Sequence, residues 1–179
     1  MKKVFWTALA LSVLTAVSQA QGVPQADVAA GYSGLYILKG YTIWNNGGSG
    51  SVAVNVNNWL GVAADFGGYV GHVPQILTGE TYLFGPRLSY RKAGNVVPFA
   101  QALFGGSHFS ESTGGITGGG TQFTFAVGGG ADIGLGSSRR FALRPQIDFL
   151  GIHSQGSITP SVRLSIGIAY RIGQKYKLE

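Results

Sequence analysis

The chain contains no cysteine, which excludes a disulfide framework, a thiol nucleophile and a cysteine-ligated metal site. Charged residues are scarce as well, at 11% of the 179 residues, whereas about a quarter is usual in a water-soluble domain. Beyond the N-terminal stretch, no apolar run is long enough to cross a bilayer as a helix. If the chain belongs in a membrane, it must therefore cross it with β-strands.

Positive charge is in modest excess and is dispersed along the chain. Thirteen Lys and Arg oppose seven Asp and Glu, which gives a formal net charge of +6. The basic residues form no patch of the kind that binds nucleic acid, and no base-reading helix is predicted. The glycine-rich runs lack the Lys-Ser/Thr of a phosphate-binding loop. We therefore expect neither a nucleic-acid partner nor a cofactor.

The N-terminus has the features of a secretory signal. Two lysines precede the apolar stretch 4–17, and a run of small residues ends at Ala20. We predict cleavage after Ala20, so that 1–20 is the signal peptide and 21–179 is one domain. The alternative, a membrane-anchoring helix, is disfavoured because the apolar stretch is short. An exported chain of this composition is either soluble or a barrel.

Strict alternation of apolar and polar residues marks the segment 161–172, SVRLSIGIAYRI. This period of two is that of a β-strand with unlike faces, and the three- and four-residue spacing of a helix is absent. A soluble sandwich also alternates, but its polar face meets water. Arg163 and Arg171 share a face with Gly and Ala, which favours a narrow polar interior. The pattern is typical of a transmembrane barrel strand whose apolar face meets lipid.

Eight strand-like segments follow one another along the chain. They are 27–38, 50–56, 59–70, 81–91, 96–105, 122–133, 141–152 and 161–172. Short turns at 57–58, 92–95 and 134–140 alternate with longer connections at 39–49, 71–80, 106–121 and 153–160. Such an alternation is typical of bacterial outer-membrane barrels, whose short turns lie at the periplasmic end. We therefore predict an all-β fold: an eight-stranded antiparallel up-and-down transmembrane β-barrel.

The polar face of these segments carries charged residues of both signs. Those with the inner parity are Asp27, Asp65, Arg87, Asp132, Arg144, Asp148, Arg163 and Arg171, which include all four aspartates. Acids and bases that share a lumen satisfy each other by pairing, whereas isolated buried charges are costly. We predict an ionic network that plugs the lumen and leaves no wide pore. Segment 96–105 is ambiguous, because Phe99 and Leu103 share the parity of Gln101.

Local details complete the predicted barrel. Aromatic residues near the strand ends are expected to form interfacial girdles, namely Tyr36, Tyr69, Tyr90, Phe141 and Tyr170. Asn57 and Asn58 are expected to form a two-residue turn with positive φ.

Five blocks of the sequence resemble the OmpA-like, eight-stranded outer-membrane β-barrel superfamily. They are NVNNWLGVAADFGGY (55–69), TYLFGPRLSYR (81–91), PFAQALFGG (98–106), FAVGGGADI (125–133) and FALRPQIDFLG (141–151). The resemblance implies a barrel in the outer membrane of a Gram-negative cell envelope, in contact with outer-membrane lipid and lipopolysaccharide. We expect a monomer. Because seven residues follow Ile172, we expect no peptidoglycan-binding domain after the barrel.

The last segment also resembles the signal read by the outer-membrane assembly machinery. Ser165, Gly167, Tyr170 and Ile172 occupy its polar, glycine, apolar and final positions. The match departs from the usual signal in two ways, since Ile172 replaces an aromatic residue and 173–179 extends past the strand. The resemblance implies the assembly machinery as a partner.

No motif identifies a catalytic or metal site. His108, Ser110 and Glu111, in SHFSE, supply the residue types of barrel enzymes that deacylate lipid A, with His as base and Ser as nucleophile. His-x-Ser is a weak motif, so we predict that the chain is not an enzyme. His72 and His153 join His108 in predicted loops, but no spacing signature of a metal site connects them.

We therefore predict a structural outer-membrane barrel with surface-exposed loops. One alternative is an adhesion or ligand-binding barrel acting through its loops, where Trp44, Asn45 and Asn46 could stack against a sugar. Another is a lipid A-modifying barrel enzyme built on His108 and Ser110. The alternative fold is a soluble, lipocalin-like periplasmic barrel.

Overall fold

A computed structural model describes residues 25–39, 41–71, 76–92, 94–113, 116–154 and 156–173, and the predicted signal peptide lies outside these ranges. Eight antiparallel strands close into a barrel in chain order, which confirms the predicted fold class. The strands are β1 (Ala26–Lys39), β2 (Tyr41–Asn55), β3 (Leu60–Gly71), β4 (Ile76–Ser89), β5 (Val96–Thr113), β6 (Ile116–Leu135), β7 (Phe141–Ser154) and β8 (Ser157–Ile172). No helix in the described ranges has the length and apolarity needed to span a bilayer.

The two faces of the sheet meet opposite environments. Along β3, Val62 and Phe66 are each 54% exposed, whereas Asp65 is 2% exposed. Along β8, Ile166 is 51% exposed and Arg163 is 0% exposed. A soluble barrel buries its apolar face and wets its polar face, so this inverted arrangement excludes the lipocalin-like alternative. The large apolar side chains on the outside match the lipid-facing band of a membrane barrel.

Aromatic residues border the apolar band at both ends. We call the end that holds Ala26 and Ile172 the terminal end, and the opposite end the hairpin end. Exposed aromatic residues at the terminal end are Trp59, Tyr90, Phe141 and Tyr170, and those at the hairpin end are Phe66, Tyr82 and Phe123. Tyr82 and Tyr90 lie about 26 Å apart along the strand direction at about 3.3 Å per residue. At a strand tilt of about 40° this is about 20 Å along the barrel axis, somewhat less than the height of about 25 Å typical of such bands.

Two of the aromatic residues predicted for the girdles lie elsewhere. Tyr69 is 2% exposed and faces the lumen, because it has the same parity as Asp65 on β3. Tyr36 packs against Trp44 with 3.9 Å between ring centroids, beyond the aromatic residues that border the band.

The predicted long loops are largely strands. β5 and β6 remain paired as far as Thr113 and Ile116, where the sequence predicted a loop over 106–121. Similarly, β1 and β2 are separated by Gly40 alone. Beyond the hydrocarbon no lipid selects apolar residues on the outer face, so alternation disappears while backbone pairing continues. Gly, Ser and Thr in these extensions were therefore misread as loop residues.

The predicted two-residue turn at Asn57 and Asn58 is wrong. Four residues, 56–59, connect β2 to β3. The Asn57 Oδ1 accepts hydrogen bonds from the backbone N–H groups of Trp59 at 2.9 Å and Leu60 at 2.8 Å. Among the described non-glycine residues positive φ occurs at Arg139. Asn57 therefore shapes the turn through its side-chain acceptor and not through a left-handed backbone.

Candidate functional site in the barrel lumen

All eight charged residues predicted for the lumen face inward and are buried. Their exposure ranges from 0% for Arg163 to 6% for Asp132 and Arg171. They come from β1 (Asp27), β3 (Asp65), β4 (Arg87), β6 (Asp132), β7 (Arg144 and Asp148) and β8 (Arg163 and Arg171). Four carboxylates thus share the interior with four guanidinium groups, and the ionised set is formally neutral.

Arg144 is the centre of the cluster nearer the terminal end. Its Nε donates to Asp132 Oδ1 at 2.5 Å and its Nη2 to Asp132 Oδ2 at 2.7 Å, which is a bidentate pair. The same Nη2 lies 2.7 Å from Asp27 Oδ1, and Arg87 Nη1 reaches that oxygen at 3.2 Å. Arg171 approaches Asp132 more distantly, at 3.9 Å. Asp27 and Asp132 therefore bridge three arginines.

Arg163 is the centre of the second cluster. Its Nη1 donates to Asp65 Oδ1 at 2.5 Å, and its Nε and Nη2 donate to Asp148 Oδ2 at 3.0 and 2.7 Å. Gln146 Nε2 donates to the same Asp148 oxygen at 2.7 Å, and the Tyr69 hydroxyl lies 3.4 Å from Arg163 Nη1. A fully buried guanidinium thus has acceptors on β3 and β7 at once.

Gln101 joins the two clusters. Its Oε1 accepts hydrogen bonds from Arg87 Nε at 3.1 Å and Nη2 at 3.0 Å, and its Nε2 donates to Asp148 Oδ1 at 3.2 Å. The sequence did not identify this residue as part of the network. The available signal was its shared parity with Phe99 and Leu103, which are 8% and 0% exposed inside the barrel. The ambiguous strand therefore carries a mixed inner face.

Phe99 separates two arginines of the network. Its ring centroid lies 4.7 Å from Arg87 Cζ and 5.1 Å from Arg144 Cζ, within the range of cation–π attraction. Gly130 on β6 makes room for the ring, because a Cβ there would lie 3.0 Å from Phe99 Cζ. The aromatic ring thus contacts two like charges that share Asp27 as a counter-ion.

Apolar side chains fill the lumen beside the network and toward the hairpin end. The cluster consists of Leu35, Ala53, Ala63, Tyr69, Leu83, Leu103, Ala126 and Leu150, with Ile37 and Phe109 packed against it. Leu103 follows Gln101 on β5 and Leu150 follows Asp148 on β7, each toward the hairpin end. A cavity of about 20 Å³ remains beside Asp65, which is room for about one water molecule.

His108 and Ser110 form a hydrogen-bonded pair on the outer face of β5. His108 Nε2 lies 3.2 Å from Ser110 Oγ, and its Nδ1 lies 3.1 Å from Thr121 Oγ1. A hydroxyl thus occupies the position at which a catalytic triad has a carboxylate. The Glu111 side chain is outside the described part of the structure, and Glu80 on β4 is the cross-strand partner of His108.

Of the three residues predicted to bind a sugar, Trp44 and Asn46 contact each other and Asn45 points away from them. Trp44, Asn45 and Asn46 lie in β2, and Asn45 faces the lumen with 1% exposure. Trp44 Nε1 donates to Asn46 Oδ1 at 2.5 Å, and the Tyr32 hydroxyl donates to the same oxygen. The packing of Trp44 on Tyr36 and this hydrogen bond engage the surface that was expected to stack on a sugar.

Within the described ranges, no group of three or more candidate metal ligands is found. His72 lies outside those ranges, and His153 is exposed near the end of β7.

The residues of the predicted assembly signal lie along the seam between β8 and β1. The Ser165 and Ser33 hydroxyls are 2.8 Å apart across this seam. A Cβ at Gly167 would lie 2.6 Å from a carbonyl oxygen of β1, so the two backbones approach closely. Tyr170 and Ile172 are 39% and 43% exposed on the outer face.

Solved outer-membrane barrels share this fold. Neisserial surface protein A matches with a TM-score of 0.72 and 15% identity over 85% of this chain and 100% of its own. Ail, the attachment invasion locus protein of Yersinia pestis, matches with a TM-score of 0.62 and 17% identity over 84% of this chain and 99% of its own. The N-terminal β-barrel domain of Pseudomonas aeruginosa OprF matches with a TM-score of 0.55 and 15% identity over 84% of this chain and 100% of its own. No protein-family model and no curated protein matches the chain significantly.

The closed eight-stranded sheet, apolar outside and charged inside, defines an integral outer-membrane β-barrel. The predicted location in the cell outer membrane is confirmed, and the resemblance to OmpA-like barrels holds at the level of the fold.

Proposed function

We propose that this protein is a structural, monomeric outer-membrane barrel whose lumen is closed by side chains, with the hairpin end at the cell surface and the terminal end in the periplasm. It presents its hairpins on a rigid cylinder and catalyses no reaction. One observation carries the proposal. Contacts run without a break from Arg171 through Asp132, Arg144, Asp27, Arg87, Gln101, Asp148 and Arg163 to Asp65.

This chain of contacts supports closure for an energetic reason. Each buried carboxylate has at least one guanidinium within 3.2 Å, so opening a path for ions would separate paired charges in a low-dielectric interior. An eight-stranded barrel has room for little more than its own side chains. The apolar cluster forms a second barrier, because an ion that passed the network would next meet leucines without polar groups.

Planar-bilayer recording tests this function. The unchanged protein should show no large, stable conductance steps. Because the two barriers lie in series, Arg144→Ala or Leu103→Ala alone should remain closed, and the double variant should conduct. Large steps from the unchanged protein would refute a closed lumen.

A second candidate function is recognition of a partner through the hairpins. It is favoured by the length of β5 and β6, which have 18 and 20 residues against 14 in β7, so that this hairpin projects furthest. Among the structural neighbours, Ail is named as an attachment invasion protein, and one of its structures contains the heparin analogue sucrose octasulfate. The segment 106–121 of this chain has no Lys or Arg, so we infer a protein partner rather than a sulfated glycan.

Binding to host cells tests recognition. The unchanged barrel is compared with a variant in which a short turn replaces 107–120. Loss of binding with retained folding supports it, and unchanged binding contradicts it.

We further propose lipopolysaccharide and the assembly machinery as partners, the latter through Gly167 and Tyr170 on β8. Cells expressing Tyr170→Ala should then accumulate unassembled barrel, whereas Tyr32→Ala, which leaves that segment intact, should not cause this defect.

A further inference from the structure

An apolar groove opens on the outer face of the barrel near the terminal end, between β4 and β5. Its volume is about 440 Å³. Trp59, Leu88 and Tyr90 project beside it and are 58%, 48% and 59% exposed. Pro98 and Ala100 form its floor because their side chains are short. The groove therefore lies in the lipid-facing surface, at the level of the terminal aromatic residues.

Backbone hydrogen bonds fix the spacing of the strands that line this groove. The Tyr90 N–H donates to the Pro98 carbonyl at 2.8 Å, and the Ser89 N–H donates to the Trp59 carbonyl at 2.7 Å. The floor continues onto β6, where Gly129 is the cross-strand partner of Ala100. Neighbouring strands are about 4.8 Å apart, which is wide enough for one hydrocarbon chain to lie along the floor.

The described turns at this end of the barrel carry charge of one sign. The described turn residues carry four cations, Arg91, Lys92, Arg139 and Arg140, and no carboxylate. Arg91 is engaged by the protein, since its Nη1 donates to the Asn58 carbonyl at 2.9 Å and its Nη2 to Asn55 Oδ1 at 2.8 Å. Burial lowers the pKa of Arg91. Lys92, two residues after Tyr90, is exposed and forms no ion pair with a described residue.

We propose that this groove is a binding site for an anionic glycerophospholipid, with one acyl chain on the Pro98–Ala100 floor and the phosphate paired with Lys92. The occupant follows from location and charge. A groove in the lipid-facing surface meets acyl chains, and an exposed cation at its polar end favours a negative headgroup. The inference rests on the membrane placement in the proposed function. A zwitterionic lipid also has a phosphate, but its own cationic group offsets the attraction to Lys92, and apolar packing of a second copy of the barrel on the groove would not depend on Lys92.

Quenching of Trp59 by brominated lipids tests the site. Trp6→Phe and Trp44→Phe leave Trp59 as the single tryptophan of the chain. This variant is inserted into equimolar phosphatidylglycerol and phosphatidylcholine vesicles in which one lipid at a time carries bromine on its acyl chains. We expect the relative association constant at Trp59 to favour phosphatidylglycerol about fivefold, the factor that one cation supplies near an anionic headgroup.

Matched variants assign the preference to the groove. Lys92→Gln should bring the ratio of the phosphatidylglycerol and phosphatidylcholine association constants to about one. Arg140→Gln, on the other turn, should leave the preference at about fivefold. Ala100→Phe should abolish the preference because the larger side chain fills the floor of the groove. Equal quenching by the two lipids, or a preference that survives Lys92→Gln, overturns the proposal. Quenching that falls as the protein-to-lipid ratio rises would assign the groove to a second copy and also overturn it. Heat-modifiable gel migration shows whether the barrel has inserted. Failure to insert would count against the membrane placement, whereas an inserted barrel with no preference for phosphatidylglycerol would count against the lipid site alone.

Discussion

Arg163 on β8 and Asp65 on β3 form an ion pair across the lumen, with 2.5 Å between Nη1 and Oδ1. β3 and β8 are not neighbours in the sheet, so this contact crosses the interior and does not follow the hydrogen-bonded ladder. The same guanidinium bonds Asp148 on β7. One side chain therefore ties three strands together and fixes the distance between opposite walls of the barrel.

Replacing Arg163 should be strongly destabilising. Arg163→Met removes the cation and leaves Asp65 and Asp148 buried without it, which should lower the free energy of unfolding by about 3–5 kcal/mol. Equilibrium urea unfolding of the barrel in lipid vesicles measures this. Arg140→Met is the matched control, because that residue is exposed and should change stability by less than about 0.5 kcal/mol. A loss below about 1 kcal/mol for Arg163→Met would mean that the pair contributes little.

Phe99→Ala should also destabilise the barrel, by about 3–5 kcal/mol, since it opens a cavity and removes the ring that contacts Arg87 and Arg144. Phe104→Ala, on the outer face of the same strand, should cost much less because lipid fills the space. The same unfolding assay applies to both variants. Equal losses of unfolding free energy for Phe99→Ala and Phe104→Ala would show that Phe99 contributes no more than a lipid-facing side chain.

Closure of the barrel should depend on Gly31. A Cβ at this position would lie 2.2 Å from the Ile166 carbonyl oxygen and 2.3 Å from the Gly167 Cα, so Gly31→Ala should force β1 and β8 apart. We expect a reduced folded fraction, read as loss of the heat-modifiable gel band. Gly68→Ala is the matched control, because a Cβ there meets nothing within 4 Å. Normal folding of Gly31→Ala would indicate that the seam tolerates a wider spacing.

Ser110→Ala should leave lipid A unchanged. Although Ser110 and His108 are hydrogen-bonded, the imidazole Nδ1 faces the Thr121 hydroxyl, and a neutral hydroxyl does not stabilise an imidazolium as the carboxylate of a triad does. Mass spectrometry of lipid A from cells expressing either protein is the measurement, with empty vector for comparison. Deacylated lipid A that disappears with Ser110→Ala would make the protein an enzyme and refute our assignment.

Parity was enough to predict the barrel and the direction of its side chains. A strand in a membrane barrel has lipid on one face and a polar lumen on the other, so Arg163 and Ile166 differ in character for a physical reason that the sequence records. Tyr69 has the parity of Asp65, which predicts an inward side chain, whereas its nearness to a strand end predicts a place in the girdle. The parity is the pattern that agrees with the structure.

Other features could not be read from alternation. Gln101 joins the two clusters only because Phe99 and Leu103 share its face, and a mixed inner face gives no clear period. The strand extensions at the hairpin end were missed because paired backbone outside the membrane needs no apolar residue. The contact between Asp65 and Arg163 depends on barrel closure, which brings distant strands together without any local signal.

The distribution of charge between the two ends has a consequence for insertion. The connections at the hairpin end, 39–49, 71–80, 106–121 and 153–160, contain at most one formally charged residue each. A Lys or Arg side chain at the middle of the bilayer costs about 2–4 kcal/mol and an Asp or Glu side chain costs less, so each hairpin carries no more than one such barrier as it crosses. In the orientation that we propose, Arg91, Lys92, Arg139 and Arg140 lie in turns that stay on the side of entry. The barrel is thus polarised along its axis, and the hairpins are the ends that cross the hydrocarbon at least energetic cost.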